Sequence, residues 1–414
     1  MKKLLVIITI IGLIGTVTNL VYISPIPSLF AAIFFPLILT HKNHFPLPVF
    51  WLFVFFLFVL ISTSLYHPGS FSNFKFYRYD GNFIISYLPL LVLPFFSFNF
   101  NIGKLFRNFL YITSFISILA FIAKGLKFQD GFSGLFIANN AAGGFYSIVT
   151  SLAFIYFLER KTYTNLFLLA LNAFFLYATY SRGSILGLGV GLMCLFLLKK
   201  HKSYLISFLI IGISAIQIYI LVGTYPEYKR HIMNSPTADI YRNLDDYVYE
   251  RFGNVSTKYK NVLIRSYETW PRAVDCFFHS PLLGTGFGSV NDVPFIFDNT
   301  IPFIYSSNQQ QVKDFNDSHA HHSFLHFLGE LGLLGLGVFL CFWRSVYKFL
   351  LKNNQEPKIR DFLLVSFFNL TIMSFTEHRI TTPSNALPFV LSFCLYYLFV
   401  NYQKKAALTT NGVL

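Results

Sequence analysis

Apolar, almost uncharged runs of roughly 17–22 residues recur from end to end of this 414-residue chain, each long enough as a helix to cross a hydrocarbon core about 30 Å thick. They lie near 3–22, 25–40, 47–65, 83–98, 105–124, 140–158, 164–180, 184–198, 204–223, 322–343, 361–376 and 384–401. Composition agrees. With 54% hydrophobic residues, 12% charged residues and a mean hydropathy of +0.55, the chain is too apolar for a soluble domain of this size. The expected fold is all-α: a polytopic membrane protein of about 12 transmembrane helices. It divides into spans 1–9 (1–223), one large extracytoplasmic loop between spans 9 and 10 (224–321), spans 10–12 (322–403) and a short tail (404–414).

Charge in the short loops sets the orientation. With a cytoplasmic N-terminus, alternate loops carry Lys42, Lys104 and Arg107, Arg160 and Lys161, the run Lys199 to Lys202, Arg344 to Arg360, and Lys404 and Lys405. The opposite short loops are poor in charge, which is the positive-inside pattern. An even number of spans returns both termini to the cytoplasm. The run after Met1-Lys2-Lys3 lacks a small-residue cleavage site and reads as a retained helix. Part of the net charge of +14 is this anchoring, so no nucleic-acid partner is implied.

The 52 Phe and 25 Tyr suit lipid-facing and interfacial positions better than a base-stacking surface. Of four cysteines, Cys194, Cys341 and Cys394 fall in predicted spans and only Cys276 in the outer loop, so no disulfide framework is expected. No repeat or low-complexity linker divides the chain. Between about Gly223 and His321 the composition shifts, and most of the acidic side chains collect there. Within that loop "NVLIRSYETWPRAVDCFFHSPLLGTGFGSV" (Asn261 to Val290) has helical apolar spacing followed by a Pro-Leu-Leu-Gly-x-Gly turn, which argues for order.

Five arginines are expected on the outer side. Arg182 opens a span in "TYSRGSILGLG", where an arginine marks either function or a snorkelling anchor. Arg265 and Arg272 flank Trp270 on a predicted loop helix, where each alone reads as a solvated charge. Arg78 in "FKFYRYDG" and Arg379 in "FTEHRITTPSN" complete the set. Guanidinium forks match phosphate oxygens bidentately and stay charged at any working pH, so a pyrophosphate is the kind of ligand such a cluster would hold.

"SHAHHSFLHFLGELGLLGLG" (Ser318 to Gly337) gathers His319, His321, His322 and His326 at the mouth of an apolar helix. His322 and His326 are spaced i,i+4 as in H-E-x-x-H, but Ser323 stands where a zinc peptidase places its Glu. With no clear third ligand, no metal site is expected. The predicted spans hold almost no carboxylates, which weakens an ion-coupled pump. A catalytic base remains, because a neutral imidazole can take a proton from a sugar hydroxyl near neutral pH. Glu330 reads as structural or as an arginine partner, and the glycines of "GELGLLGLG" as close-packing positions.

The arrangement resembles the O-antigen ligase and O-antigen polymerase superfamily of bacterial surface-polysaccharide enzymes. Three segments carry the resemblance: "SRGSILGLG" (Ser181 to Gly189), Arg265-x4-Trp270 with "HSPLLGTGFG" (His279 to Gly288), and "HHSFLHFLGELGLLGL" (His321 to Leu336), similar to H-N-x-x-L-x4-E-x-G-L-x-G-L. In the third, His322 stands where asparagine is usual. About twelve spans with one large loop match as well, a GT-C-like arrangement.

The resemblance implies an inverting, metal-independent membrane glycosyltransferase without cofactors. Its donor is a glycan on undecaprenyl pyrophosphate, its acceptor the lipid A-core or another glycan, and its setting the lipids of the bacterial inner membrane with the active site facing the periplasm. Arg182 and Arg265 would hold the pyrophosphate and His321 would deprotonate or orient the acceptor. Arg78, Arg272, Arg379, His319, His322, Asp317 and Trp270 would line the substrates, with Glu330, Gly284 and Gly286 supporting the site. A ligase is favoured over a polymerase by a small margin. A polysaccharide or lipid transporter would need a charged, water-filled interior, and an intramembrane metalloprotease would need the missing Glu.

Overall fold

The computed structural model describes residues 2–18, 45–72, 80–127, 131–233, 240–290 and 320–410. Among them there are helices and turns and no strand. The helices are α1 (Lys2–Gly15), α2 (Leu47–Tyr66), α3 (Gly81–Val92), α4 (Ile102–Ala123), α5 (Asn139–Glu159), α6 (Tyr163–Ala178), α7 (Arg182–Lys199), α8 (Ser203–Glu227), α9 (Ile240–Phe252), α10 (Thr257–Ile264), α11 (Trp270–His279), α12 (Ser323–Lys352), α13 (Pro357–Met373) and α14 (Pro383–Thr410). Every apolar run of the sequence except that near 25–40, which lies outside the described residues, overlaps one of these helices. Seven among the described residues are long and apolar enough to cross a membrane, namely α2, α4, α5, α7, α8, α12 and α14. Among the described residues, seven of the expected twelve thus reach spanning length, and shorter apolar helices occupy Lys3–Thr18, Gly81–Phe95 and Tyr163–Ala178.

Local chemistry explains several of the boundaries. Prolines occupy the first turn of α2 and α13, where the missing N–H has no intrahelical partner to lose. Asn101 and Thr162 cap α4 and α6 by accepting from Lys104 N and Asn165 N. Pro89 and Pro94 turn the end of α3 into a 3-10 segment, Leu93–Phe95, which shortens that helix.

Burial sorts the helices. The most apolar window of α14 is 94% buried and that of α5 is 78%, against 17% for α8. Helices α14 and α5 form the hub, and α8 leaves most of its surface outside the protein core. The glycine face of α7 packs on α13: a Cβ at Gly187 would sit 2.4 Å from Asn369 Oδ1, and one at Gly191 2.7 Å from the Val365 carbonyl oxygen. Such close approach is how small residues hold membrane helices together.

Residues from α8 to α12 contribute a second, smaller core of Tyr228, Ile232, Leu244, Tyr247, Val248, Leu263, Cys276 and Val290. Two π-helical segments, Tyr228–Met233 and Arg265–Thr269, occur here, the second carrying Arg265 directly before α11.

Helix α12 is broken inside its first half. Gly332 takes φ 64° and ψ −168°, a conformation open only to glycine, and the break frees backbone groups that lipid would leave unpaired. The turn after α11 supplies their partners. Leu333 N donates to Pro281 O at 2.8 Å and Leu334 N to Leu282 O at 3.2 Å, while Gly286 N donates to Glu330 O at 2.9 Å and Thr285 N to Gly329 O at 3.3 Å. The segments "SPLLGTGFG" and "GELGLLGLG" are thus two halves of one device, with the loop backbone replacing the missing helical turn.

Candidate functional site

The segment between α13 and α14, Ser374 to Thr382, lies across the N-terminus of α12. Ser323 N donates to Ser374 O at 2.8 Å, and the Ser323 hydroxyl accepts from Arg379 N at 3.0 Å. This stitching places the Glu377 carboxylate, 13% exposed, between two residues far apart in sequence. Arg265 Nη2 donates to Glu377 Oε1, and Arg265 Nη1 donates to Thr376 O at 2.9 Å. His321 Nδ1 lies 3.0 Å from Glu377 Oε2. Burial alone would raise the Glu377 carboxyl, but the His321 hydrogen bond and the charges of Arg379 and Arg265 outweigh it and hold it well below the usual carboxylate range. Glu377 is therefore an anion at any physiological pH. A carboxylate accepts only, so His321 donates from Nδ1 and, in its neutral form, carries its lone pair on Nε2.

The two adjacent histidines have opposite roles. His321 adopts φ 48°, in the left-handed region, and its side chain is 29% exposed. His322 is extended at φ −163° and caps α12, its Nδ1 accepting from Leu325 N at 3.1 Å while Nε2 lies 2.9 Å from Gln217 Oε1. Burial brings the His322 imidazole down to about 3, so it is neutral and fully engaged. The left-handed turn at His321 is what lets one ring face outward and the next inward.

The expected arginine cluster resolves into separate roles. Arg182, at the first position of α7, is exposed. Its neighbour Gly183 lies so near the central segment that a Cβ would approach Thr376 Oγ1 to 3.1 Å. Arg265 is 24% exposed and reaches the same segment. Arg272 is 1% exposed and paired at 2.6 Å with Glu268, itself fully buried. A solvated charge is thereby corrected to a buried ion pair. Arg379 is buried, donating from Nη1 to Asn140 O at 2.7 Å and Asn385 Oδ1 at 2.9 Å. Trp270 is also buried, edge-on to the His322 ring at 5.8 Å. The substrate-lining role expected of His322, Trp270, Arg272 and Arg379 therefore meets side chains enclosed by protein. Arg78, Asp317 and His319 lie outside the described residues.

Glu330 and the loop glycines sit one layer below. Glu330 is fully buried, its Oε1 accepting from Val290 N at 3.1 Å and lying 3.1 Å from His326 Nε2. A Cβ at Gly284 would fall 2.2 Å from the Glu330 carbonyl carbon, and one at Gly286 2.7 Å from His67 Cβ. His326 Nε2 also lies 2.7 Å from Asp80 Oδ1, and His378 Nε2 lies 3.5 Å from the same oxygen. Asp80, His326 and His378 thus have the spacing of a metal site, with Asp80 and His378 as partners the sequence reading lacked. Ala320 N points at the His326 Nδ1 from 3.5 Å, and Nε2 faces the Asp80 and Glu330 carboxylates. A metal-ligating histidine normally donates from the second nitrogen.

A groove of about 1060 Å³ runs between α8, α12 and α13, lined by Ile210, Phe324, Leu340, Trp343, Phe367 and Phe375 among others. Its end at Phe324 and Phe375 adjoins Thr376, and Arg344 and His201 line it as well.

Sequence reasoning missed Glu377. A signal existed: it is the sole side-chain carboxylate after Asp361, set in the loop between α13 and α14 beside two other titratable groups.

Helices long and apolar enough to cross a membrane, with a partly exposed imidazole bridged to Arg265 through Glu377 near the end of an apolar groove, suggest a multi-pass membrane protein with a polar site. Residues 166–340 match the family described as O-antigen ligase, which supports the resemblance to the O-antigen ligase superfamily. The match covers Arg182, Arg265 and His321 and supports a membrane glycosyltransferase of O-antigen ligase or polymerase type. No curated protein matches the chain.

Proposed function

We propose that this chain transfers a glycan from undecaprenyl pyrophosphate to an acceptor sugar hydroxyl, as an O-antigen ligase acting on the lipid A-core at the periplasmic face of the bacterial inner membrane. The single observation that carries the reading is the bridge from Arg265 through Glu377 to His321, which places a phosphate-binding fork beside a proton acceptor. The apolar groove that ends at Phe375 suits the isoprenoid tail, because it leads from lipid to the arginines.

His321 Nε2 takes the proton of the acceptor hydroxyl as that oxygen forms its bond to the anomeric carbon. The bond from that carbon to the pyrophosphate oxygen breaks, with inversion, and its electron pair leaves on undecaprenyl pyrophosphate. Arg265 and Arg182 hold the pyrophosphate and balance the charge it gains. Arg78, Asp317 and His319, which lie outside the described residues, are proposed as further substrate-lining groups on the sequence alone.

Deletion of the gene tests the reading. Full-length polymer stranded on the carrier above bare core is the expected result. A single repeat unit on the core would instead identify a polymerase, and an unchanged ladder and carrier pool would overturn the glycosyltransferase reading.

A further inference from the structure

Both oxygens of Glu377 are occupied, one by each functional group of the site. Oε1 holds the Arg265 fork and Oε2 the His321 ring. Arg379, the other guanidinium whose charge reaches this carboxylate, hydrogen-bonds Asn140 and Asn385. Arg265 is therefore the arginine in direct contact with Glu377, and at 24% exposure it is the more open partner of the pair.

We propose that Glu377 is a positioning residue that makes the base depend on the donor: in the empty site Arg265 neutralises it, and a pyrophosphate drawing Arg265 to itself returns the carboxylate charge to His321. The inference rests on the glycosyltransferase reading above. Phosphate oxygens and a carboxylate compete for the same planar fork. When the pyrophosphate takes it, the hydrogen bond from His321 Nδ1 faces a fuller negative charge, and Nε2 becomes the stronger proton acceptor. Among the described residues, the charged groups that bear on His321 include Glu377 and, through it, Arg265 and Arg379, while buried His322 stays neutral. Acceptor hydroxyls, water included, then meet a competent base only when a donor is in place. This would favour donor binding first.

The test compares the full-length protein with Glu377→Gln, which keeps the size and an accepting oxygen but not the charge, after both elute as the same monodisperse peak. Transfer turnover should fall roughly 100-fold. Inhibition by inorganic pyrophosphate should tighten about threefold, because the internal competitor for Arg265, a partly exposed ion pair, is gone. A purely structural role predicts the reverse for the ligand, so weaker pyrophosphate inhibition, or unchanged turnover, would overturn the proposal.

A second measurement needs no variant. In the wild type, the limb of the pH profile set by the base should lie at higher pH in kcat, which reports the donor-bound site, than in kcat/KM for donor, which reports the free one. Equal or reversed positions would sink the coupling. Wild-type protein with no transfer activity at all would overturn the glycosyltransferase reading, and this inference with it.

Discussion

Replacing His321 with alanine is expected to lower glycan transfer by about 10²–10⁴-fold, the usual range for loss of a positioned general base, with expression and membrane insertion unchanged. Stability should be largely spared because the His321 side chain is 29% exposed and lies outside the helical core. The neighbouring substitution gives the contrast. His322→Ala removes the cap of α12 and the partner of Gln217, so it should lower thermal stability by about 1 kcal/mol with a smaller effect on turnover. Measuring rate and melting temperature for both variants assigns the base. If His321→Ala retained wild-type turnover while His322→Ala lost it, the assignment would pass to His322.

The second large effect falls on the backbone beneath the site. Gly284 takes φ 74°, and a Cβ there would lie 2.2 Å from the Glu330 carbonyl carbon. Neither the left-handed conformation nor the contact with main chain can relax cheaply, so Gly284→Ala should cost about 2–4 kcal/mol. It should also disturb the turn that pairs with the broken α12. Gly189, which has nothing within 4 Å of its would-be Cβ, is the control: alanine there should be neutral or slightly stabilising. Thermal unfolding of the purified proteins in detergent reads both. A Gly284→Ala protein as stable as wild type would mean that the loop does not brace the kink as described.

Much of this architecture is legible in the sequence because membrane helices announce themselves locally. A run such as 47–65 is uniformly apolar over the length of a span, and α2 occupies it. The sequence reading exceeds the structure where a run is apolar but the helix is interrupted. Near 83–98, Pro89 and Pro94 leave α3 only twelve residues. Near 361–376 the helix instead starts at Pro357, so α13 begins with Lys358, Arg360 and Asp361 and stops at Met373.

The site was legible only in part, for a physical reason. Arg182, Arg265 and His321 stand at recognisable positions in local patterns. Glu377 acquires its meaning from contacts with residues 112 and 56 positions away, which no local spacing encodes. The Glu268 partner of Arg272 stands at the local i,i+4 spacing, so what the sequence hid for Arg272 and Arg379 was the burial itself, which depends on what packs around them. The sequence gives an arginine its charge, but Glu268 on the preceding turn and Asn385 on α14 decide where that charge is spent.

The most direct test of the account is reconstitution of the purified protein in lipid with an undecaprenyl pyrophosphate-linked glycan and a lipid A-core acceptor, following both products by mass. The account predicts a glycan-bearing acceptor and free undecaprenyl pyrophosphate in equal amounts, both abolished by Arg265→Ala. Movement of the intact lipid-linked glycan between leaflets with no new glycosidic bond would contradict it and make the protein a transporter.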